Sequence, residues 1–253
     1  MKELKYSVLM NKSSNQFSER GFECILAVVL VLGTIGLSVF IPVAGIAVAF
    51  IIAPFLCVGI KKYLLSIARG EFLPIEAIYG SYKFTIRAFC LKVAYTLICA
   101  LWGIIFIIPG IISALNYSMA SFVMADEENV SALEAMVKSK KMVEGYRLNI
   151  FIIYLSYFFI SVVALCGFSA IGAMLRTFTI IPVWTIVVCM IVAFLFILVI
   201  FIIPYFELEF ANVYLELKNI QIKEKKTVAK SSSGTKSTTK RRTTKTSVKR
   251  QEE

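Results

Sequence analysis

Cys24–Ile60 reads CILAVVLVLGTIGLSVFIPVAGIAVAFIIAPFLCVGI, 37 consecutive residues without one charged side chain. At ~1.5 Å rise per residue, a helix of that length is nearly twice what a ~30 Å hydrocarbon layer needs. The stretch must double back. Pro42 lies near its middle with Gly45 just beyond, and this predicts a minimal turn between spans at about 24–41 and 43–60.

The same logic extends outward. Val93–Ala125 is a second uncharged run, 33 residues long, interrupted by Pro109-Gly110. That dipeptide favours a turn, because proline presets φ and glycine admits positive φ. Spans are expected at about 88–108 and 111–125, the latter short enough that a re-entrant element is its alternative. Leu148–Leu175 and Thr177–Phe206, on either side of Arg176, predict a third pair at about 149–173 and 180–204. The expected fold is all-α: a polytopic membrane helical bundle of about six transmembrane helices arranged as three hairpins, with amphipathic cytoplasmic connectors. The membrane domain is expected over 23–220, between an N-terminal segment 1–22 and a tail 221–253. Composition agrees, with 58% hydrophobic and 17% charged residues, against ~25% charged in average soluble domains.

Orientation follows from the basic residues. The turns near Pro42 and Pro109 hold no Lys or Arg and the third holds only Arg176, while basic residues from Lys2 through Arg147 collect on the other side. The positive-inside rule then places both termini in the cytoplasm of a multi-pass cell-membrane protein. A five-span version, with Pro109 as a mere kink, would push the basic C-terminus outward. A signal peptide does not fit, because the first apolar segment runs 18 residues, beyond the ~7–15 of such regions.

Two segments between the hairpins resemble each other, IEAIYGSYKF at 75–84 and LEAMVKSKKM at 133–142. Pro74 precedes one, and Ser131 with Glu134 forms a capping box at the other, so both read as helix starts. Asp126, Glu127 and Glu128 read as the acidic start of the second connector, favourable at a helix N-terminus. Leu133, Met136, Val137 and Val143 fall on one face, with Lys138 and Lys141 on another. Such a connector lies on the lipid surface or docks a partner.

Sites of chemistry are few. There is no histidine in the chain, which excludes His-based triads and His-metal centres. The six cysteines form no CxxC pair, and no Walker loop, GxGxxG or GxSxG occurs. No enzyme, cofactor or metal is expected. Glu23, Lys92, Glu207 and Glu209 fall at predicted span ends, where long side chains reach the interface. Asn116, Tyr117 and Ser118 form the candidate polar membrane site, either an interhelical hydrogen bond or the lining of an uncharged cleft. Gly45, Ala49, Ala53 and Cys57 recur every four residues as a small-residue stripe for helix packing within the bundle or for self-association.

The tail carries eleven Lys or Arg against three Glu, +8 of the chain's +11. With almost no apolar side chain to offset ordering entropy it is expected to be disordered. Lys225, Lys226, Lys230, Lys236, Lys240, Arg241, Arg242, Lys245, Lys249 and Arg250 are its candidate contacts with anionic lipids of the cytoplasmic leaflet or another polyanion. Ribosome or RNA contact is the alternative. The tail has no Phe, Tyr or Trp, so nucleic-acid binding there would be salt-sensitive and blind to sequence.

Pro109-Gly110-Ile111-Ile112, Tyr117-Ser118-Met119, the Ala125-Asp126 step, Ser139 before Met142, Gly145 and Leu155-Ser156 carry a resemblance, closed by Pro204-Tyr205 and Tyr214. Over most of residues 20–220 the chain resembles an uncharacterised bacterial multi-pass integral-membrane family, number nine hundred seventy-five among the domains of unknown function. The resemblance implies a bacterial membrane protein and supplies no activity. The expected role is a non-enzymatic scaffold or accessory of other membrane proteins, with a lipid-attracted tail. The alternatives are a small transporter or lipid-handling protein and a ribosome-docking protein.

Topology is checked with fusions to the full chain. A cytoplasm-only fluorescent reporter after residue 253 should be bright, and a periplasm-only phosphatase reporter after residue 42 should be active. Termini found on opposite faces would overturn the six-span orientation.

Overall fold

A computed structural model describes the backbone of residues 6–39, 45–127, 129–178 and 183–249. Among these residues there is no strand, and the helices are α1 (Tyr6–Val39), α2 (Gly45–Arg69), a 3-10 helix (Ile75–Phe84), α3 (Thr85–Ile105), α4 (Ile107–Tyr117), α5 (Ala120–Asp126), α6 (Ala132–Val143), α7 (Arg147–Phe178), α8 (Val183–Ile197), a π-helical turn (Leu198–Ile202) and α9 (Ile203–Lys249). Six helical stretches are long and apolar enough to cross a membrane: Ser7–Ser38, Phe50–Arg69, Ile86–Ile105, Ile107–Asp126, Arg147–Met174 and Val187–Thr227. The protein is an all-α bundle of the membrane-spanning type. α1 packs on α2, α3 on α4 and α7 on α8, the three sequence-adjacent pairs.

The turns at Pro42 and Pro182 lie outside the described residues. The turn at Pro109 is a correction. The chain reverses at Phe106, whose extended backbone (φ −150°, ψ 128°) separates α3 from α4. Pro109 sits in the first turn of α4, where a missing N–H removes no intrahelical bond. Gly110 then allows the two helices to touch, since a Cβ there would come within 2.8 Å of the Gly103 Cα. The expected short fourth span is two helices, α4 and α5, meeting at Ser118 and Met119. The Ser118 hydroxyl donates to the Leu115 carbonyl at 2.8 Å, satisfying a group freed by the break.

The two connectors differ. Residues 75–84 wind as a 3-10 helix rather than an α-helix, with Ala77 N donating to the Pro74 carbonyl at 3.0 Å. This segment lies directly on α2 through Gly59, where a Cβ would stand 2.3 Å from the Ile78 carbonyl oxygen. The second connector is the α-helix expected, its Ser131 hydroxyl accepting from Glu134 N at 3.2 Å. Lys138 bridges Glu127 at 2.7 Å and Glu134 at 2.9 Å. The hydrogen bond from Lys138 holds the Glu134 carboxyl below the ordinary carboxylate range, and the hydrogen bonds to Glu127 and Glu134 raise Lys138. The buried face of α6 is Ala135, Met136, Ser139, Met142 and Val143, while Leu133 and Val137 are exposed. The expected face shares Met136 and Val143 with it but lies about 100° round the helix, one residue's rotation, because α6 is covered by α3, α4 and α5 together.

Packing divides the membrane domain into two regions. Leu56 to Ala68 of α2, Ala120 and Phe122–Ala125 of α5, Ile150 and Ile153 of α7 and Leu208–Tyr214 of α9 are largely buried. Beyond them Phe158, Phe159, Ile191, Val192, Phe196 and many neighbours on α7 and α8 are exposed. In water this apolar surface would far exceed what a monomer tolerates. Lipid chains are as apolar as Leu, so in hydrocarbon it carries no penalty.

The chain divides into two units, Met1–Tyr214 and Leu215–Glu253. In the second, the backbone is helical to Lys249, where composition leads one to expect no order. Lys and Arg lose little rotamer freedom in a helix, so local geometry allows one. Of the ten candidate tail cations, Lys225 and Lys226 are exposed, and those from Lys230 to Arg250 have side chains outside the described residues.

Gly59→Ala should lower the thermal stability of the detergent-solubilised protein by about 1–3 kcal/mol, the usual range for overpacking against a neighbour that cannot retreat. Gly33→Ala, with nothing within 4 Å of the new Cβ, should instead raise it by about 0.5–1 kcal/mol. Differential scanning fluorimetry of the two variants against wild type reads both signs.

Candidate functional site

Where α2 emerges from its apolar half, the spacing Pro54, Cys57, Val58, Lys61 puts these four residues on one helical face. Opposite them α3 presents Ala88, Leu91, Lys92 and Tyr95 at the same i, i+3, i+4, i+7 rhythm. Together with Tyr117, Ser118 and Ser121 at the α4–α5 break, Tyr154 of α7 and Glu207 of α9, they enclose a cleft of 290 Å³. Pro54 is buried inside α2 and lacks the N–H that its helix would otherwise use there.

Two lysines and one carboxylate set the electrostatics. Lys61 forms an ion pair with Glu207, the two side chains being 15% and 22% exposed. Its ammonium also stands 4.5 Å from the centre of the Phe122 ring, a cation–π contact. Lys92 lies 5.7 Å from the Tyr95 ring centre, and among the described residues no carboxylate pairs with it.

A second network supports this floor. Phe122 stacks on Tyr214 with ring centres 5.8 Å apart and planes 20° from parallel. The Tyr214 hydroxyl donates to Asp126 Oδ2 at 2.9 Å, and Arg69 pairs with Asp126 Oδ1. Asp126 and Glu127 are therefore not the start of α6, as their local sequence suggested. They close α5 and are held by cations of α2 and α6. On the flank, Asn212 donates to Gln16 Oε1 at 2.8 Å and Ser13 Oγ at 3.0 Å, and Gln16 donates to the Ala68 carbonyl at 3.1 Å. Residues 6–22 are thus the first part of α1, packed against α2 and the start of α9. The Tyr157 hydroxyl donates to Glu209, which is almost fully buried. Glu207 and Glu209 point to different partners, as their spacing of two requires.

Of the expected polar site, Tyr117 and Ser118 line the cleft and Asn116 does not. The Asn116 carbonyl accepts from the Ser139 hydroxyl at 2.7 Å, while its side-chain Oδ1 is buried without a protein partner. In the expected packing stripe the side chains of Gly45 and Ala49 lie outside the described residues. Ala53 is half-buried, and Cys57 is exposed and turned to the cleft. Among the described residues close backbone contacts run through Gly59, against the 3-10 helix, and through Gly110, against Gly103. Lys61, Lys92, Tyr95, Tyr154 and Glu207 were not singled out from sequence as one site. The helical rhythm ending in Lys61 and the Lys92–Tyr95 spacing were the available signal. Among the described residues no group of three or more His, Cys, Asp or Glu could hold a metal ion.

A family model described as Protein of unknown function (DUF975) matches residues 1–221. No curated protein and no solved structure matches the chain.

Asp126→Asn should destabilise the detergent-solubilised protein by about 1.5–3 kcal/mol, the range for a hydrogen bond to a charged group. Tyr214→Phe should cost less than that because the Arg69 pair survives. Thermal unfolding of both variants checks the order.

Proposed function

The chain belongs to the family of unknown function DUF975, and from that premise and the cleft's geometry we propose that it is a non-enzymatic multi-pass membrane protein that binds a polar ligand at the basic end of its bundle. The observation that carries this reading is the 290 Å³ cleft with lysines and hydroxyls converging on it. Small-ligand sites are concave, largely preformed and hold a few placed polar groups among apolar walls. The polar groups here are Lys61, Lys92, Tyr117, Ser121, Tyr154 and Glu207, and the walls are Pro54, Val58 and Leu91. In this reading both termini face the cytoplasm of the cell membrane. The cleft then opens beside the anionic leaflet, which the basic connectors and tail also favour. This is the lipid-handling or transporting role among those expected from sequence.

The scaffold reading has a separate observation in its favour. Between α7 and α8 an apolar groove of 390 Å³ is lined by Leu165, Phe168, Gly172, Val187, Ile191 and Phe194, among others. A groove of that chemistry within two apolar spans accepts a lipid chain or a neighbouring helix.

Cys57 provides the test, because it lines the cleft while Cys24 is fully buried. In the full-length protein reconstituted in nanodiscs, with the other cysteines replaced by alanine, a water-soluble maleimide should label Cys57. A Ser118→Cys variant in a cysteine-free background should label likewise. If neither reacts at mildly alkaline pH, the cleft is closed to water and the ligand-binding reading fails.

A further inference from the structure

We propose that the cleft takes a phosphate group of a singly charged anion, presented by the headgroup of an anionic phospholipid. This rests on the ligand-binding reading above and names the class of ligand.

Charge makes the first part of the case. Lys61 and Lys92 both line the cleft, and among the described residues Glu207 is its only lining carboxylate. Glu207 is committed to Lys61, so one positive charge, that of Lys92, is left without an internal counterpart among the described residues. A single negative charge on the ligand brings the cleft to neutrality, which matters where polar groups border hydrocarbon. Lysine is a compact, three-donor phosphate binder that suits an oxygen-rich tetrahedral anion without imposing the planar fork of arginine.

Donors make the second part. The hydroxyls of Tyr117, Ser121 and Tyr154 line the cleft, and none makes a hydrogen bond to a described protein group. The Ser118 hydroxyl differs, since its proton is committed to the Leu115 carbonyl. Three uncommitted O–H groups and one uncommitted ammonium around one space can serve the several acceptor oxygens of a phosphate. A cationic ligand would meet Lys92 unshielded, and an apolar one would leave these donors unpaired.

Size and position favour the lipid over a free phosphate. The 290 Å³ volume sits just below the ~300–1,000 Å³ of drug-sized pockets, enough for a headgroup and not for acyl chains. α3 as a whole is poorly covered by protein, with 11% of its apolar window buried, while Ala88 and Leu91, which line the cleft, are themselves buried. Cys57 of α2 and Lys92 of α3, both exposed, line the cleft itself. Acyl chains can therefore stay in the bilayer while the headgroup enters at the depth where lysine side chains reach the interface.

The test uses the full chain with Cys57 as its sole cysteine, in nanodiscs of phosphatidylcholine with or without phosphatidylglycerol. The rate of maleimide labelling at Cys57 is read together with native mass spectrometry of retained lipid. Phosphatidylglycerol should slow labelling and stay bound, and Lys92→Gln should weaken both effects about tenfold, as should Tyr117→Phe to a smaller degree. Lys140→Gln removes the same charge from an exposed position on α6 and should change neither. Inorganic phosphate and glycerol 3-phosphate are added in separate arms to the phosphatidylcholine nanodiscs. Weak or no protection by them is the expected result, whereas protection matching the lipid's would overturn the lipid as source and assign the site to a soluble phosphate compound. Equal weakening by Lys92→Gln and Lys140→Gln would overturn the site altogether, leaving only diffuse surface attraction. Rapid labelling that no phosphate-bearing probe slows would sink the anion while the open cleft itself stands.

Discussion

An ionised carboxylate at the edge of hydrocarbon must be surrounded by donors, and Asp126, with 6% of its side chain exposed, organises one end of this bundle by that requirement. Arg69 reaches it from α2 and Tyr214 from α9. Because Arg69 closes α2 and Asp126 closes α5, the contact fixes where both helices end relative to each other. Stacking of Tyr214 on Phe122 then gives Lys61 an aromatic face to rest on. The lysine is thus aimed into the cleft from two sides, by Glu207 and by that ring. Removing either partner of such a buried pair leaves a charge uncompensated, so the arrangement acts chiefly to specify a geometry.

Away from this end the physics changes. In α7 and α8 lipid takes the role that a protein core takes in a soluble domain, and large apolar side chains point outward. No hydrophobic force separates helix–helix from helix–lipid contact, so association there depends on close packing. The described structure meets that need with glycine in two places. Gly103 and Gly110 bring α3 against α4, and Gly59 admits the backbone of the 3-10 connector at a distance no side chain would allow. A connector pressed on α2 in this way is part of the fold rather than a strap lying on the lipid.

The spans were legible because length and apolarity act locally: a run of 37 uncharged residues has to fold back whatever its neighbours do. The Ser131–Glu134 cap was legible for the same reason, being closed within three residues. Pro109 misled because proline is as comfortable in the first turn of a helix as in a turn before one, and only the tertiary contact of Gly110 decides between them. Asp126 and Glu127 misled in a similar way. The helix-dipole rule assigns acids to the helix that follows, whereas Arg69, 57 residues earlier, supplies a stronger partner. A smaller part of the candidate site was visible, in Tyr117 and Ser118, since polar residues inside an apolar run are conspicuous. Lys61 and Glu207 are 146 residues apart, and each alone looks like any interfacial charge.

Under the proposed reading, two kinds of positive charge serve different ends in one chain. Basic residues of the tail, on that reading, would act on phosphates through a field that salt screens over ~8 Å at physiological ionic strength, each gaining about 1 kcal/mol only while close to the surface. Their effect is a sum over many weak terms, which tolerates substitution at any one position and carries no shape. Lys92 works under the opposite conditions. It stands 5.7 Å from the Tyr95 ring centre and shares the cleft with Ala88, Leu91 and hydroxyls that make no hydrogen bond to a described protein group. One ammonium so placed would discriminate a ligand by geometry, where a cluster in water would discriminate only by charge.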